Sequence, residues 1–306
     1  MKKIFLSVIG LLTFTIAAQA QKKTSGAIQF ETTIDAVAMA VANGVQLTDE
    51  MKARMPKAMK SNFELLYTAT NASYMPVEEF EDSNGSGGGG GGMGRMMMRF
   101  GGAGGAREYF YTFADQKLVE VFDVSDTTYA MQSKLTVAPP TNFNMGGQRP
   151  GGNNPNAAAV TSSAVQFLPG PPTMEVEKSD ETKTILGFTC KKVIVKSIRK
   201  AKVLDMDRDI VDETVLWYTN DLGFNFSPNP NLWTEGTVLA IENKGTSTIA
   251  KSIEYRGVSA KDVTAPKKAV SITADEYKVK MENMMRRFSG GGNNRQGGAP
   301  ARMIIN

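Results

Sequence analysis

The 306-residue chain contains no histidine and a single cysteine, Cys190. Without histidine there is no Ser-His-Asp or Cys-His catalysis, no histidine-ligated zinc and no general base of the usual kind near neutral pH. One cysteine cannot close an internal disulfide, so the fold must rest on its apolar core. Beyond Ala20 no apolar run is long enough to cross a bilayer as a helix. Charge of one sign is also scarce: the formal net charge is +4, and without Lys2 and Lys3 it falls to +2. That balance gives no case for a nucleic-acid-binding protein.

The first twenty residues, "MKKIFLSVIGLLTFTIAAQA", place Lys2 and Lys3 before an apolar run from Ile4 to Ala18 and a small-residue site at Ala18-Gln19-Ala20. This is the pattern of a secretory signal peptide over 1–20. No cysteine follows the expected cleavage point, which removes the lipid-anchored route. The expected location is the periplasm or the periphery of the outer membrane, or outside the cell.

Three segments are of low complexity: a Gly/Met-rich one over 83–106, an Asn/Gly/Pro-rich one over 142–159, and a Gly/Asn/Arg tail over 289–306. None carries apolar periodicity, so each is expected to be a solvated loop or tail around one β-rich domain spanning 21–288. Arg95, Arg99 and Arg107 fall in or beside the first and are expected to be solvated with it. GxGxxG matches there follow no strand and open no helix, which removes the phosphate-cradle reading.

Between these segments the chain alternates with a period of two or is β-branched and aromatic. Strands are expected over 26–34, 62–70, 108–113, 117–124, 128–133, 173–178, 191–198, 214–219, 237–243 and 252–258. Ala114-Asp115-Gln116 is a hairpin turn between two of them. Two helices are expected. One covers 48–60 with Thr48 as cap and Pro56 dividing it. The other opens on the capping box Thr273/Glu276 and carries the stripe Tyr277, Met281, Met284, Met285 and Phe288. The inventory predicts a mainly β protein: a curved antiparallel sheet or half-open barrel with the C-terminal helix packed on it.

The blocks "GAIQFE", "FELLYTATNASYM", "ETKTILGFTCKKVIV", "VLWYTNDLG" and "TAPKKAVSITADEY" together resemble the GLPGLI family of exported proteins, found chiefly in the Bacteroidota. The resemblance runs from about Gly26 to Phe288. Where that family has its eponymous motif, this chain reads Trp233-Thr234-Glu235-Gly236-Thr237-Val238, keeping Gly236 and the apolar Val238, Leu239 and Ile241. The resemblance implies an exported envelope protein and brings no catalytic residues with it. By analogy, a half-open barrel of the kind used by periplasmic lipoprotein carriers is the expected architecture.

Four constellations could carry chemistry. Cys190 stands beside Lys191 and Lys192, which favour a thiolate, but its place near Phe188 and Val193-Ile194-Val195 points it inward as a small apolar residue. Met93, Met96, Met97 and Met98 offer soft thioethers to copper(I), though flanking arginines repel a cation; the same residues also make an adaptable contact loop. Asp205, Asp207 and Asp209 begin like a calcium loop but lack its glycine, at Ile210, and its glutamate, at Leu216. Trp217, Tyr218, Phe224, Phe226 and Trp233 surround the loop "YTNDLGFNFSPNPNLW", where they could line an apolar site or pack a core. Asp126-Thr127-Thr128 matches a short bacterial O-glycosylation signal.

The expected function is therefore non-enzymatic: an exported cell-envelope binding or carrier protein whose partner is a hydrophobic small molecule, a lipid or an outer-membrane protein. Methionine-based copper(I) handling is the alternative. An enzyme would require paired carboxylates, such as Glu235 and Glu242, facing each other across a pocket.

Overall fold

The computed structural model describes residues 24–42, 47–55, 58–77, 107–124, 126–139, 165–203 and 206–290. Residues 1–23, which include the expected signal peptide, Met93 and Met96 to Met98, the segments 83–106 and 142–159 and the tail beyond Gly290 lie outside the described residues. In chain order the elements are β1 (Gly26–Ile34), α1 (Ala36–Ala42), α2 (Asp49–Arg54), β2 (Met59–Tyr67), β3 (Asn71–Pro76), β4 (Glu108–Thr112), β5 (Lys117–Val124) and β6 (Thr127–Ser133). There follow β7 (Val165–Phe167), β8 (Thr173–Ile185), β9 (Phe188–Val203), β10 (Met206–Thr219), β11 (Thr237–Asn243), β12 (Thr246–Glu254), β13 (Val270–Ile272) and α3 (Ala274–Gly290).

All thirteen strands belong to one open sheet. It consists of two antiparallel meanders, β1 to β6 and β8 to β12, joined where β12 pairs with β1. β13 adds a short parallel pairing to β6, and β7 lies beside the far end of β9. The sheet does not close into a barrel. Two bulges sit near its centre: Lys251 is the extra residue of β12 against β1, and Leu239 the extra residue of β11 against β10. An extra residue on one strand bends it and increases twist, which supplies curvature.

Period-two alternation writes the core directly. Register places Ile28, Leu65, Tyr74, Tyr109, Glu120 and Met131 in one row across six strands. A second row runs Gly26, Tyr67, Ala72, Tyr111 and Leu118. Side chains of alternate residues share a face, so these rows form one apolar surface. Gly26 is required where it stands: a Cβ there would lie 2.3 Å from the Glu254 carbonyl oxygen and 2.8 Å from the Tyr67 hydroxyl. On the opposite face the 255–269 segment crosses from β12 toward β13. Val263 packs with Ala27 and Leu66, and the Ser73 hydroxyl donates to the Asp262 carbonyl at 2.6 Å.

The exception in the first row is Glu120, a carboxylate among apolar neighbours. Arg107 answers it with an ion pair, donates to the Tyr277 hydroxyl at 3.0 Å, and lies over the rings of Phe122 and Tyr277 at 5.0 and 5.2 Å. Arg107 is thus part of the core rather than solvated with the glycine-rich segment, because its head has a buried partner and two aromatic faces. The contact clamps α3 to the sheet. Tyr277, Met281 and Met284 pack on Phe122, Tyr129, Met131 and Ile272, as the helical stripe requires. The capping box forms: the Thr273 hydroxyl accepts from the Glu276 amide at 3.2 Å, and the Glu276 carboxylate accepts from the Thr273 amide at 2.8 Å.

Several boundaries differ from the sequence expectation. There are three helices among the described residues, the additional one being α1, whose Ala38 amide donates to the Asp35 carboxylate. The helix expected over 48–60 ends at Arg54, and Met59 and Lys60 instead pair with Ile34 and Thr33 in the sheet. The strand expected over 62–70 is β2, which ends at Tyr67, and β3 over Asn71–Pro76 is an additional strand. Thr68 folds the chain back, its hydroxyl accepting from the Asn71 amide at 3.1 Å. β10 begins at Met206, so Asp207 and Asp209 are exposed strand residues rather than part of a calcium loop. No helix among the described residues is long and apolar enough to cross a membrane.

Glu120 is 8% exposed as a side chain and Arg107 22%. Replacing Glu120 by alanine leaves the guanidinium without its counter-charge and should cost about 3 kcal/mol in urea unfolding. A loss below about 1 kcal/mol, the range of exposed pairs, would contradict the clamp.

Candidate functional site

The 220–236 connection between β10 and β11 folds back onto the apolar surface of the sheet. A turn starts it, with the Gly223 amide donating to the Asn220 carbonyl at 3.1 Å and φ of +76° at Gly223. Phe226 then enters the core completely, 0% exposed, with its ring 5.7 Å from Phe30, 5.3 Å from Tyr74 and 5.4 Å from Tyr111. Its amide donates to the Gly236 carbonyl at 3.1 Å, and its carbonyl accepts from the Val238 amide at 2.8 Å. The Tyr111 hydroxyl donates to the Ser227 carbonyl at 3.1 Å. The returning leg is held by 136–138: Thr136 and Ala138 donate to the carbonyls of Pro230 and Asn231, and Trp233 donates back to Thr136.

Gly236 closes this arrangement. Its φ is +62°, and a Cβ would lie 2.5 Å from the Asn220 side-chain oxygen and 2.7 Å from the Thr219 carbonyl. Its carbonyl accepts from both the Phe226 amide and the Trp233 indole, the latter at 2.9 Å.

This geometry divides the five aromatic candidates. Phe226 and Trp217 belong to the main core cluster. Tyr218 belongs to a second cluster with Val193, Val195, Leu216 and Val238, covered by Trp233, Leu232 and Val137. Trp217, Tyr218 and Phe226 are buried in these clusters, and none of them lines the cleft beside the loop. Phe224 and Trp233 remain beside open space. Phe224 stacks on Phe113 at 5.1 Å, and with Trp233, Tyr111 and Leu135 it walls a cleft of about 150 Å³. Thr112, Gln116, Lys117, Gly223 and Asn225 complete the lining. Phe113, Gln116 and Lys117 belong to the predicted β4–β5 hairpin and Leu135 to no predicted element; nothing local in the sequence joins them to Phe224.

The remaining candidates are held by other partners. Glu235 accepts from the Tyr218 hydroxyl and pairs with Lys178 at 3.0 Å, and both contacts hold its carboxyl below the usual range. Glu242 pairs with Lys183 at 2.9 Å. The two carboxylates do not face each other across the cleft, whose lining contains neither. No group of three acidic or cysteine side chains suited to a metal ion occurs among the described residues. The Trp217 indole N–H is buried without a hydrogen-bond partner, beneath Lys183, whose ammonium is 5.3 Å from the ring centre.

Cys190 is fully buried, its thiol directed at the Phe188 carbonyl at 3.7 Å. It packs in the cluster of Ile185 and Trp217, while Val193 and Val195 lie in the other. Burial pushes the thiol up to about 11, so it stays protonated and unreactive at neutral pH.

No family model matches the chain, and no curated protein matches it. Among solved structures it is similar to PNGF-II, seen in a C2 and a P21 crystal form, with 11% and 12% identity and a TM-score of 0.43 for each. These alignments cover 85% of this chain and 33% of that one, so the chain spans about a third of the length of PNGF-II.

The thiol gives a pH prediction. The folded state keeps the Cys190 proton where the unfolded chain, with an ordinary value of 9.0, releases it. Its contribution is complete below pH 9 and is lost as pH rises toward 11. Tyr67, raised to about 12 by burial, acts in the same direction above its ordinary 10.0. Unfolding free energy should therefore decline between pH 9 and 10, and Cys190→Ala should flatten that decline. An unchanged slope in the variant would remove the thiol from this account.

Proposed function

We propose that this protein is a non-catalytic binding protein of the bacterial cell envelope, which seats one apolar group of a small ligand between the β4–β5 hairpin and the 220–236 loop. The observation that carries the reading is the cleft itself. Phe113, Phe224, Leu135 and Trp233 converge from parts of the chain far apart in sequence and leave about 150 Å³ open beside them. A cleft of that volume has room for one benzene-sized group. Convergent aromatic walls with a few polar groups at the margin are the usual make-up of small-molecule sites. The envelope location rests on the signal-peptide pattern and the GLPGLI resemblance.

The apolar face of the sheet is a poorer candidate for a whole lipid. Entry there requires Phe226 to leave its three aromatic neighbours and the 220–236 loop to give up its main-chain bonds to 136–138 and 236–238. Each lost buried bond costs about 1 kcal/mol or more. A ring or short alkyl chain entering the cleft disturbs none of these.

Titration of the mature chain with benzyl alcohol and with 1-hexanol, followed by tryptophan fluorescence, tests the reading. Saturable binding with a dissociation constant on the order of millimolar is expected for a ligand of this size. It should be abolished by Leu135→Trp, which fills the cleft. Absence of saturation, or the same saturation in the filled variant, would reject the site.

A further inference from the structure

α1 is a helix without a polar side chain: Ala36–Ala42 reads AVAMAVA. A helix apolar on every side is ordinarily buried. Here none of the residues from Ala36 to Val41 is buried, and Met39 and Val41 are 37% and 55% exposed. The helix is nevertheless held firmly at the end of β1. The Asp35 amide donates to the Gly245 carbonyl at 2.7 Å, and the Asp35 carboxylate accepts from the Ala38 amide at 2.9 Å. Gly245 sits so close that a Cβ there would lie 2.6 Å from Met39 Cγ. The same end of the strands carries further exposed apolar side chains. In the β1–β2 connection Met51 lies on α2, and Met59 stands opposite Ile34. Val77 follows β3, its amide donating to the Asn62 carbonyl. These three are 40 to 48% exposed. Charges nearby are matched, Lys52 with Asp49 and Lys60 with Glu31.

We infer that this end of the sheet rests on a lipid surface, with α1 seated at the boundary between headgroups and acyl chains. A protein groove takes a helix by one apolar face and leaves a polar face in water. α1 has no polar face to leave, whereas hydrocarbon solvates a helix on every side that the sheet does not cover. Its seven residues are too few to cross a bilayer, so the contact is interfacial. The surrounding methionines adapt to an irregular apolar surface. Because the nearby charges are matched, the attraction is apolar and requires no anionic lipid. The cleft lies at the other end of β3, where Asn71 pairs with Thr112, and the inference does not rest on it.

Cosedimentation of the mature chain with phosphatidylcholine vesicles is the test. Wild type should bind, and its bound fraction should be unchanged at about 0.5 M NaCl, since salt does not screen apolar contact. Val41→Asp should lower the partition coefficient about tenfold, and Met51→Asp should lower it in the same direction. Val279→Asp changes an equally exposed residue of α3, 57% exposed, and should bind as wild type does. Circular dichroism checks that each variant folds, and if Val41→Asp does not, Met51→Asp decides. Absence of binding by wild type overturns the inference. Undiminished binding by both aspartate variants, or release by salt, overturns it as well, because the contact would then lie elsewhere or be electrostatic. A wild-type dimer that ignores vesicles and is lost in Val41→Asp would show that a second copy covers α1, again overturning the lipid contact. Ligand titration of the cleft in Val41→Asp should match wild type, which separates failure of this inference from failure of the cleft reading.

Discussion

The seating of Phe226 against Phe30, Tyr74 and Tyr111 is the contact on which the rest of the molecule depends. A sheet this curved presents a wide apolar surface that its own strands cannot cover. Burying one phenylalanine there contributes about 1.5–3 kcal/mol, and each well-oriented aromatic pair about 0.5–1.5 more. The ring is drawn in by that gain, and its main chain is then satisfied by Gly236 and Val238, so no buried polar group is left behind at Phe226. With the loop in place the half-barrel is filled at its centre, and open apolar space survives where Phe224 and Trp233 meet the β4–β5 hairpin.

The other end of the apolar surface is covered by a different device. There α3 supplies Tyr277, Met281 and Met284, and a buried ion pair between Arg107 and Glu120 fixes where the helix lies. Loop and helix divide the work by chemistry. Aromatic rings and main-chain hydrogen bonds hold the loop, and a charge-assisted clamp with methionine packing holds the helix. Each covers rows of alternate residues that the strands had already brought to one face.

Most of the strands were legible because they alternate or run β-branched and aromatic: "GAIQFETTI" alternates from Ile28 to Glu31, while "KLVEVFDV" and "TVLAIEN" are apolar runs rich in β-branched residues. The capping box and stripe of α3 were legible for the same reason at a period near four. What local pattern did not reveal was set by pairing. Met59 and Lys60 continue a helical composition but are strand residues, because β1 offers them partners. The turn at Thr68 depends on a side-chain hydrogen bond that alternation does not encode. Arg107 is read from sequence with its glycine-rich neighbours, yet its place is decided by Glu120, thirteen residues away. The site was half legible: the aromatic cluster was visible, but which rings fill and which line follows from Phe226 entering the core. Leu135 and Lys117 join Phe224 only through the fold.

The reading of the protein as a binding module with a small aromatic cleft therefore turns on whether the 220–236 loop is a fixed part of the core. Native-state hydrogen exchange of the Phe226 and Val238 amides measures this directly. If the loop is fixed, both exchange only through global unfolding, with the same opening free energy as the Ile28 and Leu65 amides of the central strands. Exchange of Phe226 and Val238 through a separate, lower-energy opening would show that the loop leaves the sheet on its own. The concave face, and not the cleft beside it, would then be the surface offered to a ligand.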